Sequence, residues 1–375
     1  MTDKKSVLIV GGGIIGSMHA VQAIEAGFSV THLERDVKPQ SASIRNFGLI
    51  WVSGRLAGAE LELALRAREL WGKLGAVAKI GFRPNGSLTV AQTTEEFEVL
   101  QEAAAMPDAE ARGFHLLTRE ETISLEPALA GHYRGALRCT TDAAVEPPLL
   151  LGGIREYLAK SPDYQWIPQT EIVDFSHNEN GNHVTDFQGK RYSADYLAIC
   201  AGAEHGKFVS EFLHSAPLRK VRLQMGATYA LPVKINHSFA DADSLRYYPA
   251  FKDLSLHRLG EQGEIATQYK MQLLAVQRLD GSITIGDTHE YQEPFTHEIH
   301  EAPYEHLRAV ISNILGTEAP LIERRWDGVY SQSTSEDIYL RKEIAPGAVI
   351  VTGVGGRGNT LSPAVAEETV NSWRA

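Results

Sequence analysis

The stretch SVLIVGGGIIG, residues 6–16, decides the fold of this chain. Its first half, Ser6 to Val10, is typical of a short buried strand. Its glycines, spaced Gly11-x-Gly13-x-x-Gly16, lie where that strand turns into a helix with apolar spacing. A second β-rich run, Ser29 to Leu33, leads into the acidic Glu34. This order of strand, glycine turn, helix, strand and acidic residue predicts a dinucleotide-binding site.

Each residue of this pattern has a physical role. Gly11 permits the tight turn, Gly13 lets a pyrophosphate approach the backbone, and Gly16 lets the helix meet the strand. The helix N-terminus offers unpaired N–H groups to the phosphates. Glu34 can accept hydrogen bonds from a ribose 2′-OH, which disfavours a 2′-phosphate.

Length and charge exclude several classes of protein. The chain has 375 residues, and 43% of them are hydrophobic, which is too many for a disordered or fibrous protein. With 36 Lys and Arg against 47 Asp and Glu, the net charge is −11. We therefore expect binding neither to nucleic acid nor to a membrane surface, and no apolar run reaches the ~18 residues of a membrane span.

Two cysteines, Cys139 and Cys200, are too few for a disulfide framework or a cysteine zinc site. Their number fits a reducing compartment, so we predict a cytoplasmic protein. The spacing of His297 and His300 suits a metal, but no third ligand is indicated and the surroundings are charged. We expect no metal site.

Two later glycine turns favour FAD over NAD. The apolar strand ending in Ile199-Cys-Ala201-Gly202 repeats the opening pattern, and the strand Ala348 to Thr352 leads into a glycine-rich tail. Three distant segments that converge on one ligand indicate a long cofactor. In the tail, Ser362 as N-cap and Pro363 as first residue predict the start of a helix that points its positive end at the cofactor.

The motifs together resemble a known family, the FAD-dependent amine oxidases of the glycine oxidase, sarcosine oxidase and D-amino acid oxidase group. The resemblance covers most of the chain and is strongest at both ends. Its motifs are Ile9–Ser17, Glu34-Arg35, Ser41–Leu49, Val145-Glu-Pro147, Ala198–Ala203, Trp326-Asp-Gly328 and Gly353–Pro363.

The resemblance implies an α/β fold in which a doubly wound parallel-sheet domain binds FAD and an interleaved mixed-sheet domain binds substrate. We assign 1–85, 143–215 and 323–375 to the FAD-binding domain, and 86–142 and 216–322 to the substrate domain. Together with the glycine turns, it places non-covalent FAD against Gly11, Gly13, Ile14, Ile15, Gly16, Glu34, Arg35, Ala42, Ser43, Asn46, Phe47, Gly48, Leu49, Val173, Ala201, Gly202, Gly355, Gly356, Gly358, Asn359, Thr360 and Leu361.

The implied activity is oxidation of a small amine to an imine that hydrolyses to an aldehyde and ammonia or methylamine, with H₂O₂ formed from O₂. In amino-acid oxidases of this group an arginine after the Trp-x-Gly segment holds the substrate carboxylate. This chain has Tyr330 at that position. The predicted substrate-site residues are therefore the neutral Tyr330 and three cations, Arg357, Arg45 and Lys270, the last on a strand predicted within Glu264–Gln277.

The substrate class remains open between several alternatives. Arg45-Asn46, Ile285–Tyr291 and Trp326-x-Gly-Val-Tyr330 resemble a subgroup associated with aminophosphonate breakdown. This likeness implies an anionic amine such as 2-aminoethylphosphonate or its N-methyl form. The alternatives are a sarcosine or glycine type of amino-acid oxidase, a flavin dehydrogenase with an acceptor other than oxygen, and a flavin-binding module without turnover.

Overall fold

The computed structural model describes residues 4–374, so residues 1–3 and 375 of the predicted FAD-binding domain lie outside the described part. Its strands are β1 Ser6–Val10, β2 Ser29–Leu33, β3 Leu49–Ile50, β4 Ser87–Ala91, β5 Phe114–Thr118, β6 Gly135–Cys139, β7 Ala143–Ala144, β8 Tyr164–Ile167, β9 Ile172–Asn178, β10 Gly181–Asp186, β11 Arg191–Ala194, β12 Tyr196–Ile199, β13 Leu218–Thr228, β14 Ser238–Asp241, β15 Leu274–Gln277, β16 Ile283–Gly286, β17 Ile322–Ser333, β18 Leu340–Ala345 and β19 Ala348–Thr352. Its α-helices are α1 Ile14–Glu25, α2 Ala59–Gly75, α3 Thr94–Ala104, α4 Ala109–Arg112, α5 Arg119–Leu125, α6 Pro147–Leu158, α7 Lys207–Leu213, α8 Glu264–Tyr269, α9 Ala302–Leu315 and α10 Gly358–Ser372.

A six-stranded sheet in the order β18-β19-β12-β1-β2-β8 is built around the opening strand. β1 pairs in parallel with β2 and β12, and the parallel pairing continues to β8 on one side and β19 on the other. β18 closes the sheet as an antiparallel edge. Because the central strands are parallel, their carboxyl ends meet at one edge of the sheet, where ligands bind in folds of this class.

Both faces of this sheet are covered, which explains the continuous apolar run of β1 from Val7 to Val10. Val7 and Ile9 pack in a core shared with helices α1, α2, α6 and α10. Leu8 points to the other face, into a core shared with β9 to β11 and α7. A strand buried on both faces has a continuous apolar run rather than an alternating one.

An eight-stranded sheet in the order β17-β13-β16-β15-β14-β4-β6-β5 forms the second body. It is mixed, because β4 and β14 are parallel while the other neighbouring pairs are antiparallel. Its strands come from chain segments that alternate with those of the first sheet, and the predicted α/β fold class is confirmed. One strand differs from the domain assignment: β17 lies at the edge of this sheet, although 323–375 was assigned to the FAD-binding domain.

Candidate active site

The turn between β1 and α1 brings bare backbone to the edge of the parallel sheet. Gly11 has φ +108°, and a Cβ there would lie 2.3 Å from the carbonyl oxygen of Cys200. A Cβ on Gly16 would lie 1.9 Å from the carbonyl oxygen of Gly11. Both positions therefore require glycine, and α1 approaches β1 closely enough for its N-terminus to open at the sheet edge.

Glu34, directly after β2, is held beside this turn. Its side chain is 7% exposed, and its Oε2 accepts a hydrogen bond from the Gly12 N–H at 2.5 Å. Its Oε1 accepts from the Asp36 N–H at 2.9 Å. Each carboxylate oxygen keeps a second lone pair, so Glu34 can still accept hydrogen bonds from ligand hydroxyls. Ser43 Oγ accepts from the Ile14 N–H at 2.9 Å and joins the loop after β2 to α1.

A cavity of about 960 Å³ runs from the glycine turn to Tyr330 on β17. It lies where the carboxyl ends of β1, β2, β12 and β19 meet β13 and β17. The predicted site residues that line it are Gly11, Gly13, Ile14, Ile15, Glu34, Arg35, Ala42, Ser43, Arg45, Asn46, Phe47, Leu49, Ala201, Gly202, Tyr330, Gly355, Gly356, Arg357, Gly358, Asn359 and Thr360. The predicted site residues outside that lining are Gly16, Gly48, Val173, Lys270 and Leu361.

Four of these outlying residues lie beside or behind the cavity wall. Gly16 lies where α1 meets the glycine turn, and a Cβ on Gly48 would lie 2.3 Å from the Val145 carbonyl oxygen. Leu361 is fully buried. Val173 was predicted to contact FAD through its backbone; the residue is 41% exposed, and the preceding Ile172 lines the cavity. Successive side chains of a strand point to opposite faces, which separates these two neighbours.

Lys270 does not lie on a strand as predicted. It ends helix α8 in a left-handed conformation with φ 49°, and the following strand begins only at Leu274. The Met271 N–H donates to the Ala266 carbonyl at 2.9 Å, a bond that closes the helix end. The Lys270 side chain is exposed, and its Nζ lies 4.7 Å from the centroid of the Tyr291 ring. Because Tyr291 lines the cavity, the Tyr291 side chain separates Lys270 from the cavity.

The tail helix begins earlier than predicted. Helix α10 starts at Gly358, so Ser362 and Pro363 lie inside it rather than at its first positions. Proline lacks the N–H that would bond to the carbonyl four residues earlier, that of Asn359. The Trp71 Nε1–H donates to that carbonyl at 2.9 Å and replaces the missing partner. The N-terminus of the longer helix is at the cavity, where Gly358, Asn359 and Thr360 all line the wall.

Asn46 joins the two glycine-rich walls of the cavity. Its Nδ2 donates to the Ala42 carbonyl at 2.8 Å, and its Oδ1 accepts from the Gly48 N–H at 2.7 Å. The same oxygen accepts from Asn359 Nδ2 at 2.8 Å. Asn46 therefore ties the loop before β3 to the start of α10.

Tyrosines enclose the end of the cavity farthest from the glycine turn. The hydroxyl oxygens of Tyr330 and Tyr247 are 3.5 Å apart, and Tyr248 and Tyr291 also line this part. Burial, with Tyr247 as a second cause, raises the pKa of Tyr330 well above its usual value. Burial also raises the pKa of Tyr247 and Tyr291. These phenols stay protonated and can donate hydrogen bonds to a substrate.

A buried carboxylate, Asp287, lies among these tyrosines. It is 4% exposed and lines the cavity, and its Oδ1 accepts from Gln272 Nε2 at 3.0 Å. Burial raises the pKa of Asp287, opposed by His289 and by the Gln272 hydrogen bond. Such a group can pair with a substrate ammonium or take its proton. Asp287 is not among the predicted site residues, although an acid directly after an apolar strand was an available signal.

The predicted arginines have different partners. Arg45 donates from Nε to the Gln40 carbonyl at 2.6 Å, and its Nη1 lies 3.6 Å from Asp327 Oδ1. Arg357 donates from Nε to the Val354 carbonyl at 3.2 Å, and its Nη1 lies 3.5 Å from Glu60 Oε1. The cavity-lining residues that the sequence analysis missed include Arg55, Glu60, Tyr247, Tyr248 and Asp287. Among them, two carried a visible signal: Arg55, a charge directly after the small or apolar run 47–54, and Asp287, an acid directly after an apolar strand.

A parallel sheet whose glycine turn opens into an elongated cavity defines a dinucleotide-binding protein. The chain belongs to the family of FAD dependent oxidoreductases, whose family model matches residues 6–372. The predictions of an FAD cofactor and of an oxidoreductase are therefore confirmed.

Two of the similar proteins are a glycine oxidase and a polypeptide of opine oxidase. The chain is 27% identical to a glycine oxidase from Geobacillus kaustophilus over 212 residues, which cover 54% of this chain and 56% of that protein. It is 29% identical over 147 residues to one of the polypeptides of opine oxidase from Rhizobium meliloti, which covers 36% and 39% of the two chains. These matches span about half or less of each relative.

The fold extends over nearly the whole of several solved structures. A glycine oxidase from Bacillus cereus ATCC 14579 superposes with a TM-score of 0.79 at 22% identity, covering 99% of this chain and 95% of that one. Iminodiacetate oxidase from Chelativorans sp. BNC1 gives a TM-score of 0.76 at 17% identity, covering 98% and 95%. These similarities establish the fold.

The cavity fits the cofactor of this family. The glycine turn leaves room for a pyrophosphate, and Glu34 keeps acceptor capacity for ribose hydroxyls. Further along, Trp51 Nε1 and Asn359 Oδ1 are buried without a hydrogen-bond partner among residues 4–374, and both residues line the cavity. A ligand there can supply these partners. When bound, FAD supplies the electron acceptor, and the chain's own residues must bind and orient the substrate.

Three further expectations concern cysteines, metals and membranes. Cys139 and Cys200 are both buried, and burial raises the pKa of each thiol, which makes them poor nucleophiles. Non-covalent attachment of FAD stays a prediction. Within residues 4–374, no three His, Cys, Asp or Glu side chains are grouped to hold a metal ion. In the same range, no helix combines the length and apolarity needed to cross a bilayer.

Proposed function

We propose that this protein oxidises a small amine carrying an anionic group, with FAD as electron acceptor. The observation that carries the proposal is the buried carboxylate of Asp287 among four tyrosines in the cavity. A carboxylate attracts a substrate ammonium, and aromatic faces favour a cation further. The names of the relatives, glycine oxidase and opine oxidase, are consistent with an amine substrate.

The chain's residues would divide the work at this end of the cavity. Asp287, when ionised, pairs with the ammonium and can accept its proton, which leaves the neutral amine from which electrons are removed. The hydroxyls of Tyr247 and Tyr330 donate hydrogen bonds that orient the substrate. The apolar residues Leu223, Met225 and Leu274 also line the cavity and limit the access of water to the reacting carbon.

We further propose an aminophosphonate as the substrate, such as 2-aminoethylphosphonate or its N-methyl form. Tyr330 supports this choice, because a phenol cannot provide the charge with which an arginine holds an α-carboxylate. Several cations that line the cavity support it too, and a phosphonate offers three oxygens to them. These cations are Arg45, Arg55, Arg219, Lys220 and Arg357.

The main competing function is oxidation of glycine or sarcosine, favoured by the glycine oxidase among the relatives. A dehydrogenase that transfers electrons to another acceptor is the second alternative, since L-proline dehydrogenase from P. horikoshii shares the fold. We propose O₂ as the acceptor and the cytoplasm as the location. The support for the location is the small number of cysteines, both of which are buried.

An anaerobic titration of the purified holoenzyme tests the proposal. The flavin absorbance at about 450 nm is followed while 2-aminoethylphosphonate, its N-methyl form, sarcosine, glycine or D-alanine is added. Bleaching by the phosphonates alone is the expected result. Bleaching only by glycine or sarcosine would replace the phosphonate with an amino acid, and no bleaching by any amine would refute amine oxidation. Admitting O₂ afterwards separates an oxidase, which recovers colour and forms H₂O₂, from a dehydrogenase.

A further inference from the structure

Two arginines in the cavity wall share a single carboxylate oxygen. Arg55 Nη1 lies 3.4 Å from Glu60 Oε1, and Arg357 Nη1 lies 3.5 Å from the same atom. Arg55 and Glu60 lie on either side of the start of α2, whereas Arg357 directly precedes α10. All three residues line the cavity. The group as a whole carries one positive charge more than its carboxylate can balance.

Arg55 is poorly satisfied in this arrangement. Its side chain is 7% exposed, and its Nε has no hydrogen-bond partner among residues 4–374. Burial lowers the pKa of Arg55, Glu60 raises it, and the neighbouring charge of Arg357 lowers it again. A buried cation that is hydrogen-bonded this sparsely is costly, and a second anion at the cavity surface would reduce that cost.

The surroundings hold Arg55 in place. Its Cζ lies 5.7 Å from the centroid of the Tyr248 ring, which in turn stacks on Trp51 at 6.2 Å. Glu60 is fixed by its own contacts, because its Oε2 accepts from the Leu56 N–H at 3.3 Å. The guanidinium therefore lies against the tyrosine end of the cavity with little freedom to move.

We propose that Arg55 and Arg357 form an oxyanion subsite that binds the anionic group of the substrate, with Glu60 as a positioning residue. This inference rests on the proposed function, which requires an anionic amine. The three oxygens of a phosphonate allow each guanidinium to form a two-pronged contact, whereas a carboxylate has only two oxygens for both guanidiniums to share. The subsite therefore favours a phosphonate over a carboxylate.

Binding of anions that cannot be oxidised tests this subsite separately from turnover. Methylphosphonate and acetate are titrated into the holoenzyme, and the shift of the flavin absorbance bands gives each Kd. Arg55→Ala is expected to raise the Kd for methylphosphonate by about 30-fold or more, the cost of removing one partner of a buried charge interaction. Arg246→Ala is the matched control, since Arg246 also lines the cavity but donates to Asp243 Oδ1 at 2.6 Å. The control should leave the Kd nearly unchanged.

Glu60→Gln examines the positioning role. The substitution keeps an oxygen near both arginines and removes the negative charge that competes with the ligand. Methylphosphonate should therefore bind this variant more tightly than the wild type, a result that a purely structural role would not produce. Weaker binding would contradict the assignment of Glu60.

Each outcome has a defined meaning. An unchanged Kd for methylphosphonate in Arg55→Ala would overturn the subsite. If that variant does not fold, Arg357→Met decides instead: a Kd raised about tenfold supports the subsite and an unchanged Kd overturns it. Tighter binding of acetate than of methylphosphonate in the wild type would retain the subsite and overturn its phosphonate preference. Bleaching of Arg55→Ala by 2-aminoethylphosphonate at wild-type Kd would leave the proposed function intact while refuting the inference.

Discussion

The hydrogen bond between Trp71 and Asn359 can be tested by a double-mutant cycle. Trp71 is fully buried on α2, and its Nε1–H donates at 2.9 Å to the Asn359 carbonyl, which Pro363 leaves without a backbone donor and which otherwise receives only a long contact from Ser362 Oγ at 3.5 Å. Trp71→Phe removes this donor and keeps most of the apolar ring. A buried carbonyl without a partner costs about 1–3 kcal/mol, to which the smaller ring adds a packing loss.

Pro363→Ala supplies a replacement donor, because an alanine N–H at that position can bond to the Asn359 carbonyl within the helix. In the Pro363→Ala background, Trp71→Phe should therefore cost about 1 kcal/mol less than in the wild type. The packing loss is common to both backgrounds and cancels. The free energy of unfolding is measured by urea denaturation followed by circular dichroism, at one fixed excess of FAD.

Equal costs of Trp71→Phe in the two backgrounds would refute this reasoning, since the indole would then act only through packing. The same bond matters for the cavity, because Asn359 lines it and also donates to Asn46. Loss of the Trp71 donor should therefore weaken FAD binding together with stability, and Pro363→Ala should restore both.

Three further predictions concern the site. Glu34→Gln should raise the Kd for FAD about tenfold, the loss of a charged hydrogen-bond acceptor, and an unchanged flavin fluorescence titration would refute the role of Glu34. Burial raises the pKa of Asp287, so kcat/KM should fall as the pH drops through that pKa and the carboxylate is protonated. The Asp287→Asn variant should have a lower kcat/KM that no longer falls at acidic pH. If the variant keeps the acidic decrease, Asp287 is not the group that titrates. Tyr330→Arg should gain activity on glycine or sarcosine in the anaerobic assay, and a variant that bleaches with neither would show that this position does not set substrate class.

The part of the site next to the glycine turn was predictable from sequence because its constraints are local. Gly11 needs a positive φ and Gly16 a close approach, both within one short stretch of chain. Glu34 follows from the pairing of neighbouring parallel strands β1 and β2. Residues that are close in the chain therefore form the part of the cavity next to the glycine turn.

The start of α10 was not predictable in the same way. Ser362 and Pro363 have the residue types of a helix start, and local preferences alone place the helix there. The observed helix starts at Gly358, and the Asn359 carbonyl in its first turn accepts a hydrogen bond from Trp71, a donor 288 residues away along the chain. Here a tertiary contact outweighs the local preference for a helix start at Ser362 and Pro363. Such a contact cannot be inferred from the spacing of residues in the sequence.

The substrate end of the cavity shows the same limit more strongly. Arg55, Tyr247, Asp287 and Tyr330 come from four separate segments, and only folding of both sheets brings them to one wall. Sequence reasoning found Tyr330 because it occupies a motif position, and Arg357 because it lies in the glycine-rich tail. It missed Arg55 because the charge pattern that matters, two arginines on one glutamate, exists only in space. Cofactor recognition relies on backbone geometry, which leaves traces in the local sequence, whereas the substrate selection that we propose relies on charge balance among distant side chains.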